Sequence, residues 1–230
     1  MPRARWWRGI PTTPAARFVP SLGPGGSHLK RYDQDYFDRW YRDPAHRIGS
    51  RGDLARAVAL AVAMTEGVLG RSVRSVLDVG AGEGRWQPVL RRLRPGSRYV
   101  GVEPSAWAVD RWGRQRGLIR GDLDSLADLG LDGPFDLVVC ADVLHYLPTP
   151  ALRRGLLALA PFVEGLAWCP TFTAGDAIDG DHEGFQRRRA ATYRAAFREA
   201  GLVPLGMHGW IPRGRLGDLA ELERPGAAQG

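Results

Sequence analysis

A handful of residues in this chain have types and spacings suited to chemistry. Asp78 closes the apolar run Ser75-Val-Leu-Asp-Val79, and Gly80, Gly82 and Gly84 follow at once. Glu103 follows a second run, Arg98-Tyr-Val-Gly-Val102, and Asp122 follows a third, Leu118-Ile-Arg120. His145 stands five residues past Cys140, which ends Phe135-Asp-Leu-Val-Val-Cys140. Closely spaced glycines let a backbone turn sharply and approach a ligand. A carboxylate offers about four lone-pair positions, enough to accept both hydroxyls of a ribose. A histidine with an ordinary pKa near 6.5 can serve as a base at neutral pH.

The surrounding pattern says what positions these groups. Short apolar runs over 75–79, 98–102, 118–120, 135–140 and 163–169 alternate with helical stretches over 85–93, 105–116 and 150–160. Such alternation indicates a parallel sheet with helices on both faces. In open sheets of this kind ligands lie at the carboxyl ends of the strands, near the point where strand order reverses. Residues 184–201 read as a helix, followed by late strands LVPLG and MHGWI and a polar tail from Pro212 with one short helix at 216–223. Upstream, Tyr32, Tyr36, Phe37, Trp40 and Tyr41 form one aromatic stripe on a short helix, and Asp53 is placed to cap an apolar helix over 53–69.

Two cofactor classes use a glycine turn after the first strand. A dinucleotide fingerprint, G-x-G-x-x-G, needs glycine at position 85, where this chain has arginine. The acid at Asp78 suits a cation better than a pyrophosphate. S-adenosylmethionine carries an α-ammonium and a sulfonium and fits such a site. Glu103 would then accept the ribose hydroxyls. Asp122 would accept the adenine amino group, with the Leu123 amide donating to a ring nitrogen.

With these residues in order, the chain resembles the class I S-adenosylmethionine-dependent methyltransferases. LDVGAGEG is similar to their first motif, VEPS to the acidic motif after the second strand, GDL to the adenine-side motif and FDLVVCADVLHYL to the fourth-strand motif. The order and spacing match over residues 75–147. The resemblance implies a Rossmann-like, mostly parallel seven-stranded sheet with its last strand antiparallel, and in-line methyl transfer. It implies cofactor contacts from Asp78, Gly80, Ala81, Gly82, Glu103, Pro104, Asp122, Leu123 and Cys140. The N-terminal aromatic helix is similar to the lid of the small-molecule branch, where Tyr32 and Tyr36 would close over the methionine end of the cofactor. Aromatic faces attract a sulfonium.

Methyl transfer needs alignment, and a base only when the acceptor must lose a proton. His145 is the expected base, with Asp142 orienting it or capping a turn. Arg47 or Arg51 could pair with the cofactor carboxylate. The segment 175–184 holds four acids and His182. It reads as a solvated loop, as an attractor for a cationic acceptor such as an amine, or as a metal site, although its spacing matches no EF-hand loop. No metal is expected. Cys140 and Cys169 should be neighbouring free thiols, consistent with a reducing cytoplasm.

The net charge of +7 is concentrated at one end. Residues 1–31 hold six basic and no acidic groups, which leaves 26 basic against 25 acidic groups in the remainder. A near-neutral body argues against nucleic acid as a partner. Of the 32 basic residues, Lys30 alone is lysine. Residues 1–27 lack periodicity and read as a disordered basic tail, with RWWR at 5–8 able to touch a membrane surface or an acidic partner. Residues 28–70 would form the lid and first core helix, 71–211 the cofactor-binding core and 212–230 a polar tail. No run is long and apolar enough for a membrane span. The expected activity is methylation of a small molecule at oxygen or nitrogen. The rival is a non-catalytic sensor or assembly module that retains the cofactor fold.

Overall fold

Five short apolar runs become the parallel strands expected of them: β1 (Ser75–Val79), β2 (Arg98–Glu103), β3 (Leu118–Arg120), β4 (Phe135–Val139) and β5 (Val163–Trp168). They belong to a computed structural model that describes residues 30–178 and 180–224, so the segment 1–27 and Asp179 lie outside the described residues. Two further strands, β6 (Leu202–Gly206) and β7 (Gly209–Pro212), complete a seven-stranded sheet in the order β3-β2-β1-β4-β5-β7-β6. β7 pairs antiparallel with both β5 and β6. Its hairpin with β6 turns through Met207 and His208, both with positive φ, as a two-residue primed turn requires.

The central strands are buried on both faces, so their residues divide between two cores by the period-two rule. Leu137 and Val139 of β4, with Val76 of β1 and Leu166 of β5, pack under α2 (Arg51–Leu69) and α3 (Trp86–Leu93). Val138 of β4, Leu77 and Val79 of β1 and Ala167 of β5 pack under α5 (Thr149–Leu159) and α6 (Ala190–Glu199). α4 (Ala106–Arg116) returns the chain from β2 to β3. At the end of the sheet away from the strand tips, Asp136 joins β1 to β4. It accepts two bonds from Arg71 at 2.9 and 2.7 Å, one from the Arg74 amide at 2.6 Å and one from the Ser75 amide at 3.3 Å.

The aromatic stripe is carried by α1 (Gln34–Phe37), capped by Asp33, and by a π-helical turn over Asp38–Arg42. α2 begins at Arg51, two residues earlier than expected. Its cap is Ser50, and Asp53 is the third helical residue, returning a bond to the Ser50 amide at 2.8 Å in a capping box. The expected helix over 184–201 shrinks to Ala190–Glu199. Residues 184–189 stay irregular because tertiary bonds claim their backbone and Arg188. The Gln186 amide donates to the His145 carbonyl at 2.8 Å, the Ala174 amide to the Arg188 carbonyl at 2.7 Å, and the Arg188 side chain to Thr149 and the carbonyls after β4. The short helix expected at 216–223 is two 3₁₀ turns, Arg213–Asp218 and Glu221–Glu223. No helix among the described residues is long and apolar enough to cross a membrane.

Candidate functional site

Strand order reverses between β1 and β4, and their carboxyl ends open a cleft there. The cavity has a volume of about 630 Å³ and is walled on one side by the sheet tips and on the other by the aromatic lid. The turn after β1 forms its floor. The Gly80 and Ala81 amides donate to the Val102 carbonyl at 2.8 and 3.1 Å, which pins the turn to β2. Gly80 and Gly82 have φ of +74° and +56°, in the left-handed region that favours glycine. A Cβ at Gly80 would collide with Val143, and one at Gly82 would lie 2.5 Å from the Tyr41 hydroxyl.

The structure brings the three strand-end acids into this cavity. Asp78 is 2% exposed and accepts from the Tyr99 hydroxyl at 2.6 Å. Burial pushes its carboxyl up to about 7, with the Tyr99 bond opposing and the nearby Glu103 charge adding to the rise. Glu103 accepts from the Gly82 amide at 2.7 Å through one oxygen and from the Ser105 amide at 2.9 Å through the other. Two lone-pair positions are thereby used and two remain. Burial raises this carboxyl too, against the pull of those two amides. Asp122 is exposed in the cavity wall and accepts from the Ser125 amide and hydroxyl through Oδ1, both at 2.9 Å. Ala81, Pro104, Leu123, Tyr32 and Tyr36 also line the cavity. Tyr32 is fastened to the start of α4 because the Ser105 hydroxyl, at that helix's N-cap, donates to its carbonyl.

Two expected site residues lie elsewhere. His145 is 1% exposed and packs among Tyr146, Phe172 and Phe185, with ring centroids at 4.3, 5.4 and 5.5 Å. Burial, reinforced by Lys30 and Arg188, lowers its pKa to about 4. The short 3₁₀ turn over Leu144–Tyr146 directs the ring into the core, which corrects the expectation of a catalytic base. Cys140 is fully buried in the core under α5 and α6, and its thiol does not reach the cavity. The strand alternation alone turns it away from the ligand side. Cys169 shares that core, both thiols are free, and burial pushes both pKa values up, Cys169 to about 12.

Further residues complete the wall. Arg47 and Arg51 are exposed outside the cavity, whereas Arg85 lines it and stacks over the Tyr41 ring at 5.0 Å. Tyr41, Tyr146, Asp142 and Asp181 line it as well. Asp142 has φ +58° and is exposed to the cavity, and the surrounding protein raises its carboxyl to about 6. The signal for Tyr41 was present in the helical repeat from Phe37. Asp181 was one acid among four in its segment, with nothing local to single it out. No group of three His, Cys, Asp or Glu among the described residues could hold a metal ion.

A family described as a methyltransferase domain matches residues 45–205. No curated protein is detectably similar in sequence. Among solved structures, the sugar N-methyltransferase KedS8 from Streptoalloteichus sp ATCC 53650 shares 21% identity over 83% of this chain and 92% of its own, with a TM-score of 0.57. Streptomyces venezuelae DesVI shares 18% identity over 70% of this chain and 92% of its own, with a TM-score of 0.56. An S-adenosylmethionine-dependent methyltransferase from Clostridium acetobutylicum ATCC 824 shares 13% identity over 75% of this chain and 87% of its own, with a TM-score of 0.54. At these identities the likeness is one of fold, while the family match spans most of the chain, which therefore belongs to the methyltransferase domain family with the fold of the class I S-adenosylmethionine-dependent enzymes.

Proposed function

We propose that the chain transfers a methyl group from S-adenosylmethionine to the oxygen or nitrogen of a small molecule. The observation that carries this reading is the convergence of Asp78, Glu103 and Asp122 around the glycine turn in one cavity wall. The donor set suits the cofactor: a buried acid for its ammonium, a carboxylate with two spare lone-pair positions for its ribose, and a third acid for its adenine amine. The close approach of Val143 and Tyr41 to Gly80 and Gly82 leaves no room for a larger residue in that turn. The cavity volume lies within the usual range for small-molecule sites, roughly 300–1,000 Å³. When bound, the cofactor supplies an electrophilic methyl group on a sulfonium.

In this reading the Leu123 amide reads the adenine edge, and Pro104, Tyr32 and Tyr36 cover the cofactor. The aromatic lid excludes water and aligns the acceptor. Asp142 replaces His145 as the group able to take a proton at the acceptor side, since it faces the cavity and titrates near 6. Calorimetric titration with S-adenosylhomocysteine and with NAD tests the cofactor. Binding of the first and not the second is expected, and the reverse would sink the assignment. Mass-spectrometric screening of amines and alcohols for a 14-dalton gain tests transfer. Cofactor binding without any methylated product would favour the sensor reading.

A further inference from the structure

Opposite the glycine turn, three tyrosines and an acid from separate segments surround a single ammonium group. Tyr32 and Tyr36 come from the lid, Tyr146 from the turn after β4 and Asp181 from the loop after β5, and all four line the cavity. Tyr32 and Tyr36 meet edge to face at 5.0 Å. The Tyr146 hydroxyl donates to the Asp181 carbonyl at 2.8 Å, so its ring and that acid are held together. The ammonium between them belongs to Lys30. It lies 4.1 Å from the Tyr146 ring centroid, 5.5 Å from Tyr36 and 5.6 Å from Tyr32, pairs with the Asp181 carboxylate and donates to the Glu183 carbonyl at 3.1 Å. Its side chain is 14% exposed.

Aromatic faces within about 6 Å of a cation, completed by a carboxylate, form an ammonium site. Lys30 is the one lysine beside 31 arginines. It stands in no helix or strand, at the end of a long flexible stem. Confining that stem costs rotamer freedom.

We propose that this cage is the subsite for an ammonium group carried by the acceptor, and that Lys30 occupies it until the acceptor displaces it. The acceptor is thereby a small molecule bearing a primary or secondary amine that is protonated at neutral pH. This inference rests on the methyltransferase reading for the word acceptor; the cage itself does not. If Lys30 fills the cage nine-tenths of the time, the apparent affinity for a competing amine is about tenfold below the intrinsic one.

Because the chain has a single lysine, labelling with ¹³Cε-lysine gives one side-chain resonance that reports on the cage directly. In the full chain that resonance should lie upfield of free lysine, from the three ring faces, and return toward the free value as benzylammonium is added. Benzyl alcohol, the neutral counterpart, should leave it unmoved. By calorimetry, Lys30→Met should bind benzylammonium about tenfold more tightly than the native chain, and adding Asp181→Asn should cancel that gain. A lysine resonance already at its free position, one unmoved at saturating benzylammonium, or Lys30→Met affinity no better than native would overturn the proposal and make Lys30 a fixed part of the wall. S-adenosylhomocysteine titrated into the same samples separates the two readings. Its failure to bind would count against the cofactor assignment, whereas its binding without amine competition would count against the cage alone.

Discussion

Replacing Asp78 by asparagine should make the protein more stable and a poorer binder. Burial raises this carboxyl from 3.8 to about 7. At about 1.4 kcal/mol for each tenfold change in proton affinity, the ionised form costs about 4 kcal/mol above pH 7. The sign follows from the direction of the shift. The folded chain keeps the proton up to about pH 7, while the unfolded chain releases it near 3.8. The stability this group contributes is complete below about pH 4 and is lost as the pH rises through 7. Asparagine removes the charge and can still accept from Tyr99. Its amide protons need partners, which offsets roughly 2 kcal/mol of the gain. For a chain of this size about 2 kcal/mol corresponds to roughly 4–8 °C in melting temperature. Thermal melts should therefore show Asp78→Asn above the native chain by that margin at pH 8 and close to it at pH 5. Calorimetry at pH 8 should show affinity for S-adenosylhomocysteine reduced about 10–100-fold, the loss of one charge-assisted bond to its ammonium. In the native chain the same affinity should improve as the pH rises toward 7 and Asp78 ionises. A variant no more stable at pH 8 would refute the burial cost. An unchanged dissociation constant would refute the contact with the ammonium.

Three further outcomes are expected. Glu103→Gln leaves one oxygen to serve the Gly82 and Ser105 amides and should weaken S-adenosylhomocysteine binding about 100-fold; equal binding would confine Glu103 to holding the glycine turn. His145 should subtract stability as the pH falls from 6.5 toward 4, because it is buried neutral while the unfolded chain takes a proton there, against the gain from Asp78 over the same range. His145→Phe should therefore gain stability relative to the native chain on acidification without changing cofactor affinity, and a stable variant that binds cofactor yet no longer methylates would restore the histidine as a base. Gly80→Ala should destabilise through both the φ of +74° and the collision with Val143. Val143→Ala should recover the collision and not the backbone strain, so melts of the pair should show favourable coupling; strict additivity would mean the two positions do not touch.

The fold was legible because its signals are local. Each parallel strand is a run whose apolar character follows from burial on both faces, and β1 and β3 fall on the expected boundaries. The errors come where distant groups decide. Residues 184–189 have helical composition, yet the His145 carbonyl and the groups around Arg188 hold them in an irregular segment. Asp53 has the type of an N-cap, but Ser50 three residues earlier completes a reciprocal pair with it. Asp136 looked like one polar residue in an apolar strand. Its four bonds to Arg71, Arg74 and Ser75 across β1 cannot be inferred from either segment alone.

The same distinction divides the two halves of the cleft. The cofactor half is assembled from strand ends, each with an acid or glycine within a few residues of an apolar run, so spacing along the chain reports geometry. Even there the reading weakens once a side chain's direction matters: Cys140 directly follows the correct strand and faces the core, and His145 lies in the turn after it and is buried. The acceptor half has no such local frame. Lys30 and Glu183 meet across 153 residues, and Asp181 gains meaning only beside Tyr146 and the lid. Substrate recognition in this fold is thus written in contacts between loops that the sheet brings together. Their composition narrows the ligand only after the topology is known, and in the reading proposed for this chain the narrowing is toward a cation. In the proposed reading Asp142, Asp181 and Tyr146 stand on the acceptor side of the cavity, the lid tyrosines Tyr32 and Tyr36 face both sides, and Tyr41 and Arg85 sit at the glycine turn. An ammonium gains from both that excess of acid and the aromatic faces, whereas a neutral hydroxyl gains only a base from the acid.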